Sequence, residues 1–489
     1  MILLSEQEAG VVSVVEGGKG VNLKMGDLME SPGVAELNEK IEDRSARVGI
    51  IGLGYVGLPL AATIAEAGFR VLGFDVQRNR VELVNQGVNY IGDVVGSKMK
   101  KLVAGGFLQA TSDLGDLKNV EIIVICVPTP LDMHLQPDLR YIINSTKQVA
   151  NNISEGTLVI LESTTYPGTT EEVLLPILEG RWQDVPELLR EFQEREPLAR
   201  KMNCGRDFFL AYSPERVDPG NQEYKTENTP KVVGGITEDC AGLAAQFYRA
   251  VLKAAVWRVS SPRVAEMEKL IENIFRLVNI GLVNEMAILC KRMNIDIWEV
   301  IEAAKTKPYG FMPFYPGPGL GGHCIPIDPF YLTYKAKEFG LETRLIEVAG
   351  EINRQMPKYV VDQCMHILNF SQIAVKGARV LLTGIAYKAD IDDWRESPAL
   401  EIMERLINLG AVVDYHDPYI PSIKIKSFSC KSLDLTPESV EQADLILITT
   451  DHSNIDYKII CKKAKRILDT RNIMFRMDML PVNGEYYKI

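Results

Sequence analysis

The 489 residues amount to about three typical domain lengths, so two or three domains are expected. Apolar residues at 46%, charged residues at 24% and aromatics at 8% exclude collagen-like, coiled-coil and wholly disordered chains. With 65 acidic against 54 basic side chains the net charge is −11, which offers no electrostatic reason to bind nucleic acid or an anionic membrane.

Residues 1–45 show no sustained period of either kind and read as an N-terminal extension outside the core, with a short helix around Val34–Ile41. The opening segment lacks a basic stretch, and Glu6 and Glu8 interrupt its apolar residues, so no signal peptide is expected. Eight cysteines are scattered without a CxxC pair, which suits reduced thiols in a cytoplasmic protein and offers no metal pattern.

From residue 46 the texture changes to β-branched runs alternating with helical stretches. VGIIG, LPLAATIAEAG and VLGFD read as strand, helix, strand; 121–127 and 156–164 are continuous apolar runs of the kind parallel strands require. Residues 46–258 therefore form a doubly wound α/β unit, with the charged, proline-flanked stretch Trp182–Lys201 as a surface insertion. The uncharged run Val48–Ala65 is long enough for a membrane span, but it holds four glycines and Pro59.

Residues 259–370 read as a central helical region. Val264–Arg292 is one long helix whose apolar stripe comprises Met267, Leu270, Ile271, Ile274, Leu277, Val278, Gly281 and Leu282. A second helix at Ile295–Ala304 is followed by a Gly/Pro-rich loop at 308–330 and more helix at Tyr331–Asn369. Long loops inside a folded chain are more often functional than not. Residues 371–489 restart the α/β pattern as a smaller unit. The fold class is thus α/β, with two Rossmann-like doubly wound domains joined by a long central helix.

Gly52-Leu53-Gly54-Tyr55-Val56-Gly57 follows the first strand directly and opens a helix. In such a turn the first glycine permits the bend, the second admits a pyrophosphate and the third lets helix and strand pack. Asp75 ends the next strand, where a carboxylate accepts ribose hydroxyls and repels a 2′-phosphate, so the cofactor is NAD. Tyr55, Val56 and Arg80 complete this side of the site. The competing reading is a structural glycine turn that binds nothing.

Cys324 lies in Gly321-Gly322-His323-Cys324-Ile325-Pro326-Ile327-Asp328. Flanking glycines remove bulk, so a substrate can approach the sulfur, and an irregular loop favours a thiol with a tunable pKa. The alternative is an ordinary loop cysteine. His323 is adjacent in sequence, and neighbouring side chains point apart, so it is no direct base.

Together these features make the chain resemble the UDP-glucose/GDP-mannose dehydrogenase family over about residues 46–475. The matching segments are GLGYVGLP (52–59), CVPTP (126–130), ESTTYPGTT (162–170), SPER (213–216), EKLIEN (268–273), GGHCIPID (321–328) and GIAYKADIDDWRESPA (384–399). The resemblance implies four-electron oxidation of the C6 hydroxyl of a nucleotide-sugar with two NAD per turnover. It implies Cys324 as the nucleophile, forming a thiohemiacetal and then a thioester. Asp328, Lys269 and Asn273 would handle the alcohol proton and stabilise oxyanions, Glu215 would assist hydrolysis, and Thr129 would sit near the reacting centre. Arg395 would face the NAD diphosphate. Lys388 and Arg471 would hold the UDP-sugar, with Tyr315, Gly317 and Gly321 in the loop whose residues 308–318 cradle the uridine, and Arg216 near the sugar. Periodicity by itself places Lys269 and Asn273 on a solvated edge of the central helix, away from the apolar stripe.

The loop sequences look most like those of bacterial enzymes that oxidise UDP-N-acetylglucosamine for surface polysaccharides. The alternatives are UDP-N-acetylmannosamine or UDP-glucose as substrate, a catalytically silent NAD-binding regulator, and a simple two-electron hydroxyacid dehydrogenase. Members of the family commonly dimerise through the central helix, so a homodimer or higher homo-oligomer is expected. No nucleic acid, membrane or metal is expected.

Overall fold

The computed structural model describes residues 11–16, 19–24, 32–91, 96–132, 136–192, 201–218, 220–221, 223–322, 325–425, 429–480 and 482–489. An antiparallel hairpin pairs Val11–Glu16 with Lys19–Lys24. Helix α1 (Pro32–Glu42) then docks on the first α/β unit, with Val34, Leu37 and Ile41 buried in its core. This corrects the expectation that the first 45 residues stay outside the core. Three apolar side chains spaced one helical face apart make a single short stripe, too brief to register as a period over the whole segment.

The large sheet is built from β1 (Arg47–Ile51), β2 (Arg70–Phe74), β3 (Leu108–Thr111), β4 (Ile122–Ile125), β5 (Thr157–Leu161), β6 (Phe208–Tyr212), β7 (Lys231–Gly235) and β8 (Val256–Val259). Their spatial order is β8-β7-β6-β5-β4-β1-β2-β3. Every pairing is parallel except β6 with β7, which run antiparallel. Strands β4 to β7 are buried along their whole length, as uninterrupted apolar runs require. Helix α2 (Gly57–Glu66) follows β1, and α3 (Glu238–Val251) packs on β7. The stretch read as a surface insertion contributes Trp182 and Val185 to the core. Its charges hid two anchors that the composition did not separate from the rest.

Helix α4 (Pro262–Arg292) crosses the centre, followed by α5 (Ile297–Lys305), α6 (Asp328–Ala336) and α7 (Arg344–Phe370). It packs on α7 and α6, and a Cβ on Gly281 would come within 3.1 Å of the Ala349 backbone. Its predicted stripe divides: Leu270, Leu277 and Gly281 are buried, whereas Ile271 and Leu282 are exposed beside Phe275. Its supposedly solvated edge is the opposite, with Lys269 and Asn273 only 8% and 4% exposed. The helix is covered on more than one side, which a single-stripe reading cannot register. Among the described residues α4 is the one helix long and apolar enough to cross a membrane. Its buried Glu266, Lys269, Asn273 and Asn284 and its packing on α6 and α7 give that length a place inside the fold.

The smaller sheet comprises β9 (Arg379–Thr383), β10 (Val412–His416), β11 (Leu445–Ile448), β12 (Arg466–Asp469) and β13 (Glu485–Lys488), in the order β10-β9-β11-β12-β13 and wholly parallel. Helix α8 (Pro398–Asn408) packs beside β10 and on α7. Each sheet reverses its strand order once, between β1 and β4 and between β9 and β11, which creates the crevices where α/β folds bind ligands.

Candidate active site

The first crevice holds the glycine turn. Gly52 has φ +95°, and a Cβ on Gly57 would lie 1.8 Å from the Gly52 carbonyl oxygen, so neither tolerates a side chain. Gly54 faces open space, with nothing within 4 Å of a Cβ placed there. Asp75 is fixed by backbone amides: Leu53 N donates to Oδ2 at 3.0 Å and Gln77 N to Oδ1 at 2.8 Å. Arg80 Nη1 lies 3.3 Å from Asp75 Oδ2. An open cradle at a helix N-terminus, a carboxylate with lone pairs to spare and a nearby arginine fit a dinucleotide. Val56 is the residue from which α2 starts, and Tyr55 is half exposed, with the Arg395 guanidinium 4.1 Å above its ring. Arg395 comes from the smaller unit and is held by Asp393 at 2.7 and 2.8 Å.

The second cluster lies where α4 meets the start of α6. Asn273 Nδ2 donates to Asp328 Oδ2 at 2.6 Å. Burial lifts the Asp328 carboxyl to about 7, although the Lys269 charge and the Asn273 hydrogen bond pull the other way. Lys269 acts through space on Asp328 and on Glu215 alike. Glu215 Oε1 accepts from the Arg216 and Val217 amides, both at 2.8 Å. Burial opposes its ionisation, but Lys231, the Val217 amide and Lys269 hold the carboxyl below its ordinary range. One turn after Asp328 on α6, Tyr331 Oη donates to the Pro130 carbonyl at 3.3 Å beside Thr129, which brings the CVPTP loop to the same place. Arg216 is engaged by Glu272, by Glu268 at 3.3 Å and by the Pro230 carbonyl at 3.0 Å.

His323 and Cys324 lie outside the described residues, and their neighbours are placed against the smaller unit. A Cβ on Gly321 would fall 2.5 Å from Tyr387 Cβ, and one on Gly322 2.9 Å from the Tyr387 ring. These glycines therefore make room for Tyr387, where the sequence reading gave that room to substrate. Gly317 N donates to the buried Asn284 Oδ1 at 3.0 Å, and a Cβ on Gly317 would stand 2.7 Å from Arg471 Nη1. Tyr315 stacks on Trp298 and donates to Glu302 Oε1 at 2.7 Å on an exposed face.

In the second crevice, Arg471 Nε donates to the Thr449 carbonyl at 2.9 Å. Lys388 pairs with Asp218 across the two units at 2.7 Å. His452 has no partner pattern in the sequence and reads there as structural or surface; the structure makes it structural. His452 is wholly buried: its Nδ1 accepts from the Asp390 amide at 3.0 Å and its Nε2 donates to Asp417 Oδ2 at 3.1 Å. Asp417 in turn accepts from the Ile385 and Ala386 amides at 2.6 and 3.0 Å. The sequence reading missed Asn284 and Asn353, hydrogen bonded to each other at 2.9 Å. No short-range pattern marks any of them. Among the described residues no group of side chains could hold a metal ion.

Family models match three successive segments: the NAD binding domain of the UDP-glucose/GDP-mannose dehydrogenase family over residues 46–252, its central domain over 263–355 and its UDP binding domain over 381–476. The chain belongs to the UDP-glucose/GDP-mannose dehydrogenase family. It is 37% identical to the UDP-N-acetyl-D-glucosamine 6-dehydrogenase of Pseudomonas aeruginosa over 77% of this chain and 84% of that protein. It is 36% identical to the UDP-N-acetyl-D-mannosamine dehydrogenase of Pyrococcus horikoshii over 88% of this chain and 96% of that protein. A solved structure of the UDP-D-ManNAc dehydrogenase from Pyrococcus horikoshii superposes with TM-score 0.78 at 34% identity, covering 91% of this chain and 99% of the other. This family member is thus an NAD-dependent UDP-sugar dehydrogenase with two Rossmann-like units, the larger matching the NAD binding domain and the smaller the UDP binding domain.

Proposed function

We propose that this dehydrogenase oxidises C6 of a UDP-N-acetylhexosamine, with UDP-N-acetylglucosamine preferred, to the uronic acid through a covalent intermediate on Cys324. The observation that carries the reading is the Asn273–Asp328 contact with Lys269 acting on both Asp328 and Glu215. Bound NAD supplies a hydride acceptor for each of two oxidations. Asp328 takes the C6 hydroxyl proton as the first hydride leaves, and Lys269 and Asn273 stabilise negative charge on the oxygen. The Cys324 sulfur then bonds to the aldehyde carbon, which keeps the aldehyde from escaping. The thiol proton passes to the aldehyde oxygen in that addition, and loss of the second hydride from carbon, with the hydroxyl proton released to solvent, gives a thioester. Water adds to it while Glu215 takes a water proton; the carbon–sulfur bond breaks, the acid leaves and the sulfur is returned as thiol.

Arg471 and Lys388 would meet the UDP portion, the 308–318 loop the uridine, and Arg395 with Asp75 and Arg80 the cofactor. Arg216, tied to Glu268 and Glu272, serves to orient the Glu215 loop. The exposed Ile271, Phe275 and Leu282 on α4 support a homo-oligomer assembled through that helix in the cytoplasm, and the product would feed surface polysaccharide synthesis. A second reading, UDP-N-acetylmannosamine as substrate, is favoured by the broader coverage of the Pyrococcus horikoshii relative.

The test is a panel of UDP-sugars with NADH counted per substrate consumed and the product weighed by mass spectrometry. Two NADH and an N-acetylglucosaminuronic acid are expected; faster turnover of the mannosamine or glucose nucleotide would overturn the preference, and one NADH would overturn the four-electron chemistry. Cys324→Ala is expected to bind NAD and form no uronic acid. Normal acid formation by that variant would remove the nucleophile assignment.

A further inference from the structure

Strand β7 is reversed relative to β6, and this reversal has a chemical result. The pairing of Tyr212 with Gly234, continued by the Ser213 Oγ bond to the Val232 carbonyl at 2.8 Å, brings the first residue of β7 alongside Glu215. That residue is Lys231, only 5% exposed. Its Nζ lies 2.7 Å from Glu162 Oε1 and 3.5 Å from Glu215 Oε2, and 4.9 Å over the Tyr248 ring. Glu162, 1% exposed at the end of β5, also accepts from the Tyr248 hydroxyl, and its Oε2 has no partner among the described residues. One ammonium is therefore shared by two carboxylates, Glu162 fully enclosed and Glu215 part-buried with a side chain 15% exposed.

We infer that Lys231 is a positioning residue for Glu215, keeping its carboxylate ionised and aimed while Glu162 holds the ammonium in place. The inference rests on the reading of Glu215 as the group that takes a water proton in thioester hydrolysis. A carboxyl so largely buried would otherwise protonate and lose its use as a base. The unequal distances matter. The tight pair is with Glu162, so Glu215 receives the field of the lysine without being locked into a contact that would bar water. The other groups facing Lys231 are the Cys126 thiol behind the glycine turn and the Tyr248 ring, and Lys269 faces Glu215 from α4. The ionisation follows this geometry: burial pushes Glu162 up, whereas Lys231 stays above its ordinary range and Glu215 below.

The experiment compares Glu215→Gln, Lys231→Met, Lys231→Arg and Glu162→Gln in the full-length enzyme. Pre-steady-state NADH, steady-state kcat, its pH profile and the mass of the cysteine-linked acyl enzyme are followed. Normal turnover by Glu215→Gln would overturn the hydrolytic role of Glu215 itself and this inference with it. With Glu215→Gln stalled as thioester, Lys231→Met is expected to keep the NADH burst and accumulate thioester. Its kcat should fall roughly 10²-fold, and its acid limb should move to higher pH, with Lys231→Arg restoring most of the rate. A burst followed by normal turnover, or a lower kcat with an unmoved acid limb, would overturn the inference. Should Lys231→Met fail to fold, Glu162→Gln decides. Freed from its tighter partner, the lysine should favour Glu215 and move the acid limb to lower pH; an unmoved limb would overturn the inference.

Discussion

Asp328 shows how one residue links burial to pH. Its carboxyl is raised to about 7 by burial, so a reaction that needs the ionised form should gain rate as pH rises through about 7. Asn273 donates to the charged form, and removing that donor should raise the pKa further. Asn273→Leu is therefore expected to shift the acid limb of kcat/KM to higher pH; a shift the other way would contradict the assignment. The stability consequence has the opposite dependence. A folded-state pKa above the unfolded value means the native state holds the proton more tightly, so Asp328 disfavours the native state increasingly from about pH 4 to about pH 7. Asp328→Asn should then melt above the parent at pH 8, and the difference should vanish near pH 4. Asp328, Lys269 and Asn273 were legible in the sequence because a family motif marks them. Lys231, Asn284 and His452 were not, because no motif marks them, and Glu162, though it opens a matching motif, gains a role only through its pairing with Lys231.

At the scale of elements, α4 was both the most visible feature and the most misread. Its length and N-cap follow from the sequence, with Ser261 Oγ accepting from Val264 N. Which edge meets protein depends on α6, α7 and the large sheet closing around it, and no local period contains that. Glu266 illustrates the hidden edge. Fully buried, it accepts from Gly168 N at 2.5 Å, Thr170 N at 2.9 Å and Thr170 Oγ1 at 2.7 Å, tying the helix to the ESTTYPGTT loop. Glu266→Ala leaves those donors buried without an acceptor and should cost about 3 kcal/mol in denaturant unfolding. A loss below about 1 kcal/mol would mean that the loop is held by other contacts. The strands were legible because continuous apolar runs admit few alternatives. The reversal of β7 was not, since its sequence reads the same in either direction of pairing.

Across the whole molecule, side chains from the smaller unit reach the larger one at Arg395–Tyr55 and at Lys388–Asp218. Lys388–Asp218 is an ion pair between side chains 34% and 39% exposed, worth about 0–1 kcal/mol. It does little to hold the units together, and it leaves Lys388 competed for. Asp218→Asn should change stability by less than about 1 kcal/mol and lower the KM for the UDP-sugar; a raised KM would show that Asp218 orients Lys388 for binding. Phe275→Glu should separate a homo-oligomer built on α4 into monomers by light scattering, and an unchanged mass would place the interface elsewhere. The division into two α/β units with a helical middle was legible from texture alone. Their closure on one another was not, because Tyr55–Arg395 and Gly321–Tyr387 join residues far beyond the reach of any local pattern.

That last contact bears on how such proteins can be recombined. Because Tyr387 fills the volume a side chain at 321 or 322 would need, these two glycines are fitted to a ring from the far lobe. A chimera that grafts the sugar-nucleotide lobe of one relative onto the body of another inherits a foreign template for that segment unless both sides of the seam travel together. The natural crossover point for engineering new specificities therefore lies upstream of the glycines, not between them and the smaller unit.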